Sequence, residues 1–96
     1  MRFEWDEIKH RRNLEKHKIS FETARLIFDD PHSRSIQDRL VDDEERWQTV
    51  GMVEGLIVLV AHIYRAEGEE EVIRIISARK ATPAERRVYE AHEASS

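Results

Sequence analysis

Val72-Ile-Arg-Ile-Ile-Ser-Ala-Arg-Lys-Ala-Thr-Pro-Ala-Glu85 reads as a strand that runs straight into a capped helix. Val72 to Ala78 is rich in Ile and Val, and its apolar residues bracket Arg74 on alternate faces, as in a strand covered on both sides. The helix start is spelled out in side chains. Thr82 caps the free N–H groups, Pro83 fits the first turn, and Glu85, three after the cap, closes a capping box. Between strand and helix stand two cations, Arg79 and Lys80. They point to opposite faces if the strand continues through them, and a kink brings both to one side.

Working back from this stretch, Leu56 to Arg65 is the strongest strand, apolar on both faces and rich in β-branched residues. Gly68 marks the turn that joins it to the strand beginning at Val72. Arg46 to Val53 reads as the strand before it, with Glu54-Gly55 as a two-residue hairpin turn. In that antiparallel register Arg65 pairs near Val72, Arg74 lies near His62 and Ile63, and Arg79 lies opposite residues near Leu56. Arg65 and Arg79 then sit at opposite ends of the strand pair unless a bulge intervenes.

The N-terminal half is helical. Phe3-Glu-Trp5 alternates as a first or edge strand, Asp6 caps a helix from Glu7 to about His17, and Ser20 caps a second. Lys18 falls where the chain must turn left-handed, a conformation that costs a residue with a side chain ~1–2 kcal/mol. Phe21, Ala24, Ile27 and Phe28 form an apolar helical face that Asp29-Asp-Pro31 stops. Ser33 to Asp38 reads as a weak strand, and Arg39 to Glu45 as an acidic loop. The last helix sets Ala84, Val88 and Ala91 on one side. The expected fold is one α+β domain over residues 1–96: an antiparallel meander sheet, two N-terminal helices on one face, and a C-terminal helix.

Composition narrows the function. With 96 residues the chain makes one small domain, and without cysteine it has no disulfide, thiolate nucleophile or cysteine-based zinc site. No apolar run approaches the roughly 20 residues of a membrane span, and Met1-Arg-Phe-Glu-Trp5 does not open a secretory signal, so a cytoplasmic location is expected. The net charge of −4 divides unevenly, +2 over residues 1–28, −7 over 29–70 and +1 over 71–96. A local basic patch is compatible with an acidic protein.

The residues themselves leave several chemistries open. His10 and His17 lie seven apart, not at the i, i+4 spacing of helix-borne zinc pairs, and Asp42-Asp-Glu-Glu45 reads as a solvated loop, so neither metal nor cofactor is expected. His62 is either a satisfied core residue or a proton-transfer group. Arg74, within an apolar strand, requires a carboxylate or a ligand phosphate. Arg79 and Lys80 are more available to a ligand, while Glu85 either completes the cap or moves protons. Lys16 and His17 belong to a cationic helix surface that is either a solvated face or a phosphate contact.

Taken together, the motifs resemble the BrnT family of bacterial toxins, small ribonucleases with a RelE-like fold. Phe3-Glu-Trp-Asp-Glu7, Lys9, Asn13-Leu-Glu-Lys-His17 and Ser20-Phe-Glu22 look like that family's opening, and Phe28-Asp-Asp-Pro31 like its helix stop. Arg74-Ile-Ile-Ser-Ala-Arg-Lys-Ala81, then Glu85-Arg86 and Tyr89, look like its closing signature. Lys18 departs from the family's usual Gly. The resemblance implies an endoribonuclease that cuts RNA by metal-independent 2′-OH attack and blocks translation. It implies a BrnA-type antitoxin that neutralises the toxin and, through it, operator DNA as a further partner. On this reading Arg79 and Lys80 hold the phosphate with Arg65 or Arg74 assisting. His62, His17 or Glu85 transfer protons, Lys16 and His17 contact substrate, and Tyr89 stacks or orients it. The rival readings are a non-catalytic co-regulator of a DNA-binding partner and a protein-interaction domain with a basic surface.

Overall fold

The computed structural model describes residues 1–94. Strand β1 (Arg2–Glu4) precedes helix α1 (Glu7–His17), the short helix α2 (Phe21–Ala24) and a 3-10 turn over Arg25–Asp29. Strands β2 (Arg34–Val41), β3 (Glu44–Val53), β4 (Leu56–Glu67) and β5 (Glu70–Lys80) follow, then helix α3 (Pro83–Ala94). The sheet order is β1-β5-β4-β3-β2.

Strands β2 to β5 make the expected antiparallel meander. β1, however, lies parallel to β5, with Arg2 opposite Val72 and Glu4 opposite Arg74. The sheet is therefore mixed, not antiparallel throughout. Tight hairpins force antiparallel pairing only on the strands they join. β1 meets β5 across almost the whole chain, and no turn dictates its direction. A second correction concerns residues 34–45. The expected weak strand and acidic loop form a long hairpin, turning at Asp42 and Asp43, both with positive φ. β2 is an edge strand whose residues 34–40 are exposed on both faces, so no apolar alternation announces it. Glu44 and Glu45 are successive β3 residues and point to opposite faces, so the four carboxylates of residues 42–45 do not converge.

The two faces of the sheet differ. Val58, Val60, Ile73, Ile75 and Ala78 pack against Ile19, Phe21, Ala24 and Ile27 of the N-terminal helical layer. The 3-10 turn presses so closely that a Cβ on Gly51 would lie 2.9 Å from the Ile27 Cβ. On the other face, Val50, Ile57 and Leu59 pack against Tyr89 of α3. α3 covers only the end of this face next to the β3–β4 hairpin. That hairpin turns on Glu54 and Gly55, both with positive φ, as a type I′ turn requires.

One irregularity in β5 sets the orientation of its cations. Ala61 pairs with Ser77 but His62 pairs with Ile75, so Ile76 is an extra, bulged residue. Past the bulge the alternation resumes out of phase. Arg74 lies opposite Ile63 and Arg79 opposite Leu59, and these partners, four apart on β4, share a face.

Candidate active site

The open face is built in rows that run across the strands. The first row is Arg2, Val72 and Arg65, and the second is Glu4, Arg74, Ile63 and Arg46. Ser77, Ala61, Gln48 and Ile36 make the third, and Arg79, Leu59, Val50 and Arg34 the fourth. α3 lies over the fourth. Its Glu85 and Val88, with Arg34, Ile36, Gln48, Val50 and Leu59, line a narrow cleft of about 60 Å³.

The cations of this face are held differently. At the outer end, Arg65 is bonded to Glu4 and Glu67, and Arg2 to Glu67 as well. The bonds from Glu4 and Glu67 raise the Arg65 guanidinium above its ordinary value, and the bond from Arg65 lowers Glu4. Arg79 is clamped bidentately by Glu85 at 2.8 and 3.0 Å. Arg74 makes no hydrogen bond or ion pair among the described residues, because the adjacent Glu4 is taken by Arg65. A recess of about 270 Å³ lined by Glu4, Trp5, Asp6 and Arg74 opens beside it. Arg46, two strands away in the same row, has a buried Nε without a partner. Between the two lies Ile63, buried although no helix covers it.

The face therefore carries three guanidinium groups without a hydrogen bond or ion pair among the described residues, Arg34 in the fourth row and, in the second row on the strands flanking β4, the pair Arg74 and Arg46. Strand spacing puts the Cα atoms of that pair about 10 Å apart, within reach of a common anion by two long side chains. Over residues 5–85 the chain matches a family described as the BrnT ribonuclease toxin of type II toxin-antitoxin systems. It belongs to the BrnT toxin family. No curated protein matches the chain. BrnT members are ribonuclease toxins with an antitoxin protein as partner, and this places RNA-cleaving chemistry on the chain.

Several residues expected at a BrnT site have other tasks here, and the cations do not gather in one pocket as expected. Glu85 Oε1 accepts the Thr82 N–H at 2.8 Å and the Glu85 N–H donates to Thr82 Oγ1 at 3.2 Å, which completes the capping box. With Arg79 bonded to it as well, the Glu85 carboxyl falls to about 2. It stays ionised at neutral pH and has no proton to give. Tyr89 is 1% exposed, and its hydroxyl donates to Asp30 Oδ2 at 2.6 Å. Burial and that bond raise the phenol above its ordinary range. Burial pushes the Asp30 carboxyl up, but the bonds from Tyr89 and from the Met52 and His32 N–H groups outweigh it and hold the carboxyl low. Tyr89 thus ties α3 to the end of the 3-10 turn, which Asp30 fixes to β3 through the Met52 N–H.

His62 lies on the helix-covered face, fully buried, against Phe28 and Tyr64, and bonded to Thr49 at 2.6 Å. Burial lowers it to about 4. It shares no surface with Arg74 or Arg79. Lys16 and His17 end α1, in the helical layer on the far side of the sheet. Lys80 alternates away from Arg79 and lines a separate recess beyond the last row. No helix among the described residues is long and apolar enough to cross a membrane.

Sequence reasoning missed Arg46, Gln48 and Arg34. For Arg46 and Gln48 the signal was the half-buried Trp47: in a strand where Trp47 and Thr49 point toward the helical layer, Arg46 and Gln48 must share the opposite face, whereas nothing in the exposed stretch around Arg34 marks its face.

Proposed function

We propose that the open sheet face is the RNA-cleavage site, with Arg74 and Arg46 holding the scissile phosphate above Ile63 and Arg79 at its α3 side. The observation that carries this reading is the pair of uncommitted guanidinium groups flanking β4. The ribose 2′-oxygen attacks the adjacent phosphorus and gives up its proton to water, the 5′-oxygen leaves and takes a proton from water, and the products are a 2′,3′-cyclic phosphate and a free 5′-hydroxyl. Negative charge builds on the non-bridging oxygens as the phosphorane forms. Fixed guanidinium donors on a rigid sheet stabilise that charge more than they stabilise the substrate. Ala61 and Ser77 keep the floor of the next row low enough for a backbone to lie across it. Glu85 acts as a positioning residue, aiming the Arg79 fork while it caps α3.

The reaction requires no metal. Residues 1–96 act as one RelE-like toxin domain in the cytoplasm, where cleavage of RNA stops translation. A BrnA-type antitoxin neutralises it and brings the complex to operator DNA. What supports these finer points is the likeness of the opening and closing motifs to the BrnT family.

Purified Arg74→Ala and Arg46→Ala variants test the reading. Each is expected to lower single-turnover cleavage of RNA about 10²-fold or more, with an unchanged circular dichroism spectrum and with 2′,3′-cyclic phosphate ends on the residual product. Cleavage by the parent protein is expected to persist in EDTA. Full activity in both variants would remove the open face from the chemistry.

A further inference from the structure

We infer a second phosphate-binding site at the end of the sheet, for a phosphate of the bound RNA strand other than the one being cut. The inference rests on the open face being the cleavage site. Where the β3–β4 hairpin projects past the end of β5, a recess of about 260 Å³ opens against α3. Ala81 N–H donates to Ile57 O at 3.0 Å and fixes the end of β5 to the hairpin. Met52, Leu56 and Ile57 line the recess with apolar surface, and Gly55 leaves its rim open.

Two cations, Lys80 and Arg86, line this recess, and neither side chain makes a hydrogen bond or ion pair among the described residues. Their state contrasts with Arg2, Arg65 and Arg79, each bonded to a carboxylate. Glu90 is the one acid in the lining and pairs with neither, so the recess keeps a net positive charge on an acidic protein. Both cations are exposed and free to turn toward the recess, where an anion would meet each through a charge-assisted hydrogen bond.

The recess adjoins the cleavage face by a short path. α3 divides them, with Glu85 and Val88 on the cleft side and Arg86 and Glu90 on the recess side. Arg79 and Lys80 are consecutive residues that flank the start of α3, one toward each side. A strand held at Arg79 that passes the first turn of α3 meets Lys80 and Arg86 next. This continuity favours the same RNA molecule over an acidic side chain of a protein partner.

The salt dependence of RNA binding tests the inference. Each phosphate contact with single-stranded nucleic acid adds about 0.7 to the slope of log affinity against log salt. Against an eight-nucleotide RNA with a non-cleavable linkage, the double variant Lys80→Gln/Arg86→Gln is expected to reduce the slope by about 0.7, one phosphate contact, Arg86→Gln by part of that, and Arg86→Lys by almost nothing. Cleavage of a dinucleoside monophosphate, which has one phosphate only, is expected to be the same in Arg86→Gln as in the parent. An unchanged slope in the double variant, with the parent still cleaving, overturns the second site alone. Loss of dinucleotide cleavage in Arg86→Gln overturns it by moving Arg86 to the scissile phosphate. Weaker antitoxin binding with an unchanged RNA slope overturns it in favour of a protein contact. A parent protein that neither binds nor cuts RNA overturns both this inference and the reading beneath it.

Discussion

Arg74 and Arg79 stand on the same face of β5 although they are five positions apart, an odd spacing that a regular strand would send to opposite faces. The bulge at Ile76 makes the difference, and it aligns Arg79 with the α3 capping box. The Arg79 side chain is then fixed by the two Glu85 oxygens. Replacing it with Lys keeps the charge and loses the planar fork. Arg79→Lys is expected to lower RNA cleavage about tenfold and stability by about 1 kcal/mol, read by single-turnover kinetics and urea unfolding. Lys16→Ala and His17→Ala, on the far side of the sheet, are expected to stay within about twofold of the parent. A larger effect there than at Arg79 would put the site on the helical layer.

Asn13 behaves as a strand residue embedded in a helix. Ala78 N–H donates to Asn13 Oδ1 at 3.0 Å, and Asn13 Nδ2 donates to Ala78 O at 2.8 Å and to Ile19 O at 3.1 Å. One side chain thus satisfies three buried backbone groups and pins the end of β5 to the turn between α1 and α2. Asn13→Leu leaves all three without partners. Each orphaned group costs about 1–3 kcal/mol, so the variant is expected to lose at least about 3 kcal/mol in urea unfolding. A loss below about 1 kcal/mol would mean that the three groups find other partners.

Lys18 closes α1 in the left-handed conformation, with φ 62° and its N–H donating to Leu14 O at 2.9 Å. The side chain is exposed and joins no ion pair among the described residues. Gly adopts this conformation without the clash of a Cβ. Lys18→Gly is expected to raise stability by about 1 kcal/mol and to leave RNA cleavage unchanged. A destabilised variant would show that the gain in unfolded-chain entropy outweighs the relieved strain.

How much of this was legible follows from which signals are local. The capping box at Thr82 and Glu85, the left-handed turn at Lys18, the Glu54-Gly55 hairpin and the pairing of Arg65 with Val72 each depend on neighbours in sequence or on one tight turn. They were readable in the chain. The direction of β1 and the bulge at Ile76 depend on partners far away, and no local pattern encodes them. For the site, residue type misled where one side chain serves two masters: Glu85 and Tyr89 look reactive in the sequence but are consumed by the Thr82 cap, Arg79 and Asp30. Arg46 went unnoticed because its value lies in a row assembled from four strands.

His62 makes the stability of the fold sensitive to acid. Its Nε2 meets Thr49 Oγ1 at 2.6 Å, Thr49 Oγ1 meets Ser35 Oγ at 2.7 Å, and its buried Nδ1 has no partner. A second proton would place a charge among Phe28, Tyr64 and the surrounding core. The group therefore titrates near 4 in the folded protein and near its ordinary 6.5 in the unfolded chain. Between those values the unfolded chain binds the proton and the folded one does not. The contribution of neutral His62 is complete above pH 6.5 and is lost as the pH falls toward 4, to a total of about 3 kcal/mol. His62→Leu removes this titration. Unfolding free energies at pH 7.5 and 4.5 are expected to differ by about 2–3 kcal/mol less in the variant than in the parent, whatever the variant's stability at neutral pH. The same difference in both proteins would mean that the folded core accepts the charged imidazole, and that Thr49 and Ser35 open to let water reach it.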